Sequence, residues 1–111
     1  MDGSSVIDVW RRWRRERKHY PGHGSFAGIV YCGLGLGEAG ELAGEIKKAW
    51  RDDHSEENNR LTPDRVNKII HEMGDVFWYL DTLCDELNIT LDDVLIANMH
   101  KINAREAQRG G

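Results

Sequence analysis

The sequence predicts an all-α fold, a four-helix arrangement completed by homo-oligomerisation. Three observations carry this. Apolar residues recur at helical spacing through four segments, helix-start signals stand at the heads of these segments, and nothing alternates as a strand would. At 111 residues the chain has the length of a single domain, 1–111. Its four tryptophans exceed what one small core uses, which points to a symmetric homodimer.

The first helix is expected over 4–19, capped by Ser4 or Ser5, with Val6, Val9, Trp10 and Trp13 at helical spacing. Pro21-Gly22-His23-Gly24 then breaks the chain. A second helix is expected over 25–51. Its glycines lower local propensity by up to about 1 kcal/mol each, so tertiary packing must favour it. At about 100° per residue this helix divides into three bands. Gly33, Gly37, Gly40 and Gly44 make a smooth strip; Cys32, Ala39, Leu42, Ala43, Ile46 and Trp50 make an apolar band; Glu38, Glu41, Glu45 and Lys48 lie between. After the polar stretch 52–60, Thr62 as N-cap and Pro63 at the first helical position open a third helix, 62–87. Asn88-Ile89 turns the chain, and Thr90-Leu91-Asp92-Asp93 opens a fourth helix, 90–107, as a capping box. One face of that helix carries Leu91, Val94, Leu95, Asn98 and Ile102, and Lys101 and Arg105 continue its edge.

Composition narrows the function classes. A net charge of −4 gives no general attraction to nucleic acid. Cys32 and Cys84 stand alone on apolar faces and read as buried free thiols in a reducing compartment, so a cytoplasmic location is expected. No apolar signal core and no run of about 18 apolar residues occurs, so no membrane partner is expected.

The informative stretches are GLGLGEAGELAGEIKK, Gly33–Lys48, and HEMGDVFWYL, His71–Leu80. Each holds two acids three residues apart, Glu38 with Glu41 and Glu72 with Asp75, and this spacing puts a pair on one helix face. The second pair borders an apolar stripe instead of lying opposite it. Four carboxylates meeting at about 5 Å would cost roughly 3 kcal/mol per like-charge pair at an effective dielectric near 20. Such acids must splay into water, take up protons, or be neutralised by cations, and the cations are the reading adopted. An all-oxygen donor set favours Mg²⁺, Mn²⁺ or Ca²⁺.

GEAGELAGEIKK, then HEMGDVFWYL, then NMHKINAR resembles the MazG-like all-α nucleotide pyrophosphohydrolase family, which is marked by ExxE, a spacer, ExxD, and a later Asn, Lys and Arg group. The resemblance covers residues 23–109 and implies a four-helix bundle acting as a dimer or tetramer. It implies that Glu38, Glu41, Glu72 and Asp75 hold Mg²⁺, with Mn²⁺ as a substitute. It implies that Asn98, Lys101 and Arg105 contact the triphosphate of a (deoxy)nucleoside triphosphate, cleaved to the monophosphate and pyrophosphate in nucleotide-pool control or house-cleaning. A metal held by these carboxylates suits that chemistry, and no residue need act as a nucleophile. Glu45, one turn beyond Glu41, is a candidate for a further ion or for orienting water, or else an exposed acid paired with Lys47 or Lys48.

Lys48 is a candidate phosphate contact and His23 a candidate base contact from the loop before the site. Tyr79, one turn after Asp75, is the aromatic residue best placed to stack a base; Trp50 and Trp78 read as packing residues. The GLGLG run lacks the GK[ST] ending of a phosphate loop. A rival reading takes Arg11, Arg12, Arg14, Arg15, Arg17 and Lys18, six cations in eight residues, as a surface for nucleic acid or an acidic partner. Overall charge and motif content rank it second, so nucleic acid is not the expected partner.

Overall fold

Side-chain caps set three helix starts where the sequence puts them. Ser5 Oγ accepts from the Asp8 N–H at 3.3 Å while Asp8 accepts from the Ser5 N–H, a complete capping box. Thr62 Oγ1 accepts from the Arg65 N–H at 3.1 Å, ahead of Pro63. Thr90 and Asp93 exchange bonds of 2.9 and 3.1 Å. In the computed structural model, which describes residues 5–55, 57 and 60–110, the elements are α1 (Val6–Arg15), α2 (Phe26–Gly35), α3 (Glu38–Lys48), a π-turn (Ala49–Asp53), α4 (Pro63–Glu86) and α5 (Leu91–Gly110). There is no strand among the described residues, so the all-α class holds. Ser4, the alternative cap, lies outside the described residues.

The second predicted rod is the one that differs, being broken at Leu36-Gly37. There the Gly37, Ala39 and Gly40 N–H groups bond three residues back, to Leu34, Leu36 and Gly37, in place of the α-helical four. Gly33, Gly35 and Gly37 weaken the helix locally, and the tighter turn wins. The consequence is chemical. Glu38 and Glu41 now lie in the first turn of α3, where the positive end of the helix dipole favours carboxylates.

The helices meet through α4, on which α3, α2 and α1 all pack. Close approach depends on glycines outside the predicted strip. A Cβ at Gly35 would lie 2.1 Å from the Tyr79 ring, and one at Gly28 would lie 2.7 Å from the Gly22 carbonyl oxygen. Gly33, Gly40 and Gly44 instead face open space.

The first helix is shorter than its pattern suggested, and it docks by another face. Val6, Val9 and Trp13 are exposed, whereas Arg14 is completely buried. Its guanidinium donates to Asp81 at 2.9 Å, Thr82 at 3.1 Å and Asp85 at 2.8 Å. Arg11 reaches Asp81 and Arg15 reaches Asp85, each at 2.9 Å, and Lys18 approaches Asp85 at 3.8 Å. Much of the basic block is thus committed to acids of its own chain, which removes most of the support for the nucleic-acid reading. Removing one partner from a buried pair of this kind costs about 3–5 kcal/mol.

Burial alone would raise the Asp85 carboxyl, but hydrogen bonds from Arg15 and Arg14 reverse this and hold it at about 2. Burial opposes the shift at Asp81 too, and Arg11 and Arg14 again hold the carboxyl below its usual value. Carboxylates with a depressed folded-state pKa stabilise above the unfolded value near 3.9 and lose that contribution as pH falls through the folded one. Acidification from about pH 4 to 2 should therefore release α1, read in the fluorescence of Trp10 and Trp13. In Asp85→Asn this acid step should be smaller and the pH 7 stability lower.

Candidate active site

The kink before α3 and the course of α4 bring the two predicted acid pairs together. One carboxylate oxygen from each of Glu38, Glu72 and Asp75 lies within 4.8 Å of the others. Glu41 adjoins them: it is the leading cause of the raised Glu38 carboxyl, ahead of burial and of the charges on Glu72 and Asp75. The Glu72 carboxyl is raised by burial first, then by Glu41, Asp75 and Glu45. Its Oε2 is enclosed without a hydrogen-bond partner among the described residues. A buried, unsatisfied carboxylate oxygen facing like charges is strongly unfavourable. A hard divalent cation would satisfy that oxygen and offset the repulsion, so the donor set fits Mg²⁺ or Mn²⁺.

Glu45 is placed differently. Arg65 donates to it at 2.7 Å and Lys48 lies 3.6 Å away, so its carboxyl falls below the usual value, chiefly through Arg65. The same guanidinium donates to Asp53 in the π-turn at 2.8 Å, tying the end of α3 to the start of α4. The sequence reading did not include Arg65. Its only visible signal is an arginine seven residues, two helical turns, before Glu72.

Beside the acids opens a cleft of about 360 Å³ lined by Tyr31, Glu38, Asp75, Trp78 and Tyr79. The aromatic wall is built from behind. Tyr31 stacks on Tyr20 with ring centroids 5.1 Å apart and approaches Tyr79 at 6.1 Å, and Trp78 meets Tyr79 edge-on at 5.5 Å. Tyr20 is buried and donates its hydroxyl to Glu86, which also accepts from the Gly24 N–H at 2.9 Å. Burial, then Tyr31, raises the Tyr79 phenol, so it stays neutral near pH 7. Tyr79 is where the sequence expected it, and Trp78, read as packing, also lines the cleft. The sequence reading missed Tyr31. Its signal was Gly35 one turn later, the gap that admits the Tyr79 ring.

The remaining predicted contacts are not at this cleft. His23 lines a separate recess with Lys18, Gly24, Asp85, Glu86 and Asn88. Lys48 is engaged with Glu45, and Trp50 stacks on His54 at 4.0 Å beside Ile46 and Leu61. Asn98, Lys101 and Arg105 lie on α5, which contributes no residue to the lining of the cleft and makes no extensive contact with another helix among the described residues. No helix among the described residues is long and apolar enough to cross a membrane.

The raised Glu38 and Glu72 carboxyls have a pH consequence opposite to that of Asp85. Their stabilising contribution is present below the unfolded value near 4.3 and is lost as pH rises through the folded one. In metal-free protein, Glu72→Gln should melt higher than wild type at pH 7, with the gap closing toward pH 4. Added Mg²⁺ should raise the melting temperature of wild type more than that of the variant.

Comparison with known proteins agrees with this architecture. The model of the MazG nucleotide pyrophosphohydrolase domain matches residues 33–110, a span that takes in both acid pairs and α5. The chain is 33% identical over 104 residues to the Gene 37 protein of Mycobacterium phage L5, covering 90% of this chain and 88% of that protein. It is 28% identical over 96 residues to the uncharacterized protein YvdC of Bacillus subtilis strain 168, covering 85% and 90%. No solved structure matches it significantly. With a family match across most of its length and the four acids gathered on α3 and α4, the chain belongs to the MazG nucleotide pyrophosphohydrolase family.

Proposed function

We propose that the chain is a Mg²⁺-dependent hydrolase that splits a (deoxy)nucleoside triphosphate into the monophosphate and pyrophosphate, serving nucleotide-pool control or house-cleaning. The observation that carries this is the cleft that joins Glu38 and Asp75 to three aromatic rings. Carboxylates suit the metal-bound phosphates, and flat rings suit a base.

Glu38, Glu41, Glu72 and Asp75 hold the cation, with Mn²⁺ as a substitute. When bound there, the cation supplies Lewis-acid polarisation of the phosphoryl group and neutralises the charge of the departing pyrophosphate. Tyr31, Trp78 and Tyr79 take the base by stacking, and the neutral Tyr79 hydroxyl donates a hydrogen bond. An acid of the set orients water toward the α-phosphorus and receives its proton. Asn98, Lys101 and Arg105 bind the triphosphate and stabilise charge that develops away from the α-phosphorus. Glu45 borders the acids from the Arg65 side and orients the outer shell of the site. The working form is a homo-oligomer.

Incubation with the deoxynucleotides and Mg²⁺ should yield monophosphate and pyrophosphate in equal amounts. Orthophosphate in place of pyrophosphate would overturn the cleavage position, and no product from any nucleotide would overturn the enzyme. Glu41→Gln or Asp75→Asn should lower kcat on the order of 100-fold or more, the scale of losing one charge-stabilising group. Circular dichroism should show the helical content unchanged.

A further inference from the structure

We propose that Arg65 sets which hard cation the acid site takes: by holding Glu45 out of the shell it limits the carboxylates on offer and favours Mg²⁺ over Ca²⁺. This role rests on the metal reading above and is independent of which nucleotide is cleaved.

On α3, Glu38, Glu41 and Glu45 recur at three and four residues, so they share one face. On α4, Arg65 precedes Glu72 by seven residues, two helical turns, and Asp75 follows three later. The contacts run in opposite directions along the two helices. Glu38, at the start of α3, meets Glu72 and Asp75, well along α4. Glu45, toward the end of α3, meets Arg65 in the first turn of α4. Glu45 is thus one turn from Glu41 and near enough to Glu72 for its charge to help raise that carboxyl. It stands as a fifth oxygen donor at the edge of the set.

That donor is restrained. The Arg65 side chain is 12% exposed and that of Glu45 16%. Arg65 Nη1 donates to Glu45 Oε2 at 2.7 Å, while Nε donates to Asp53 Oδ2 at 2.8 Å. Both donors belong to one rigid plane, so the bond to Asp53 fixes the direction in which Nη1 meets Glu45. Asp53 sits in the π-turn, and the Arg65 backbone N–H is engaged by the Thr62 cap. Lys48 approaches the other oxygen of Glu45 at 3.6 Å. Both oxygens of Glu45 therefore face cations of the chain. A metal could recruit this carboxylate only by breaking a charge-assisted bond.

The two ions answer differently to an added carboxylate. Ca²⁺ gathers about six to eight oxygens, often from several carboxylates, at flexible spacing. Mg²⁺ is smaller, keeps several waters, and uses roughly one or two carboxylates together with substrate phosphates. A fifth acid beside the set therefore strengthens Ca²⁺ binding more than Mg²⁺ binding. Arg65 supplies a positive charge that needs no coordination shell, and it withdraws that acid.

Calorimetric titration with MgCl₂, and separately with CaCl₂, tests this without any nucleotide. Arg65→Gln should raise the Ca²⁺ affinity relative to the Mg²⁺ affinity on the order of tenfold, as ligand charge count tunes such sites. Glu45→Gln added to Arg65→Gln should return the ratio to the wild-type value. An unmoved ratio in Arg65→Gln, with both ions weakened or strengthened alike, would reduce Arg65 to a structural clamp and overturn the proposal. A Ca²⁺ gain that survives in the double variant would overturn it too, because Glu45 would not be its source. Circular dichroism checks that each variant is folded. Should Arg65→Gln not fold, Glu45→Gln alone decides, since it keeps Arg65 on Asp53. It should change both affinities in the same proportion; a loss confined to one ion would put Glu45 in the shell and overturn the proposal. Wild type that binds neither ion would overturn the metal reading and this role with it. Wild type that binds Mg²⁺, with the ratio unmoved in Arg65→Gln, would overturn the role of Arg65 alone.

Discussion

Mutual repulsion among Glu38, Glu41, Glu72 and Asp75 is the constraint around which the other features of this chain arrange themselves. Three of these side chains present oxygens within 4.8 Å of one another, and a Glu72 oxygen is enclosed without a hydrogen-bond partner among the described residues. A stable fold tolerates that only with compensation nearby. Some is built in. The break at Leu36-Gly37 puts Glu38 and Glu41 at the start of a helix, where exposed N–H groups and the aligned peptide dipoles favour negative charge. Arg65 removes a fifth carboxylate, Glu45, from the contest by bonding it directly. What is left over is a local excess of oxygen donors, the environment a hard divalent cation requires.

The middle and the C-terminal end of α4 use acids in contrary ways. Toward its C-terminus, Asp81 and Asp85 are matched by Arg11, Arg14 and Arg15, and their pKa values fall. Near its middle, Glu72 has an oxygen without a hydrogen-bond partner among the described residues, and burial with the charges of Glu41, Asp75 and Glu45 raises its pKa. The distinction is partnership rather than depth, because Asp81 is the more deeply buried of the two. Satisfied acids hold α1 in place. Unsatisfied ones leave a binding free energy that folding has not consumed, as expected where stability is exchanged for function.

The aromatic wall follows from the same packing. Glu86 holds Tyr20 and the Gly24 turn, Tyr20 supports Tyr31, and the missing side chain of Gly35 lets Tyr79 close against α2. The rings are therefore positioned by groups that do not themselves line the cleft. This gives the site one rigid side and one acidic side, the combination a nucleotide with its phosphates presents in complement.

Local signals carried a good deal of this. Helical periodicity, the Ser5, Thr62 and Thr90 caps, and the i,i+3 acid pairs are properties of neighbouring residues, so the all-α class and the grouping of the acids on two helices were legible in the chain itself. Nonlocal partnership was not. Periodicity put the Val6, Val9 and Trp13 face of α1 inward, yet Arg14 is the buried residue, because Asp81 and Asp85 lie some 70 positions away and nothing near Arg14 announces them. The kink in the second rod, the Arg65 clamp and the Tyr31 wall were hidden for the same reason: each depends on what a distant segment brings to it. Sequence determines which faces a helix offers, since spacing along the chain fixes direction around its axis. Only tertiary structure decides which face finds a partner, since that is settled by the summed contacts of segments far apart in the chain.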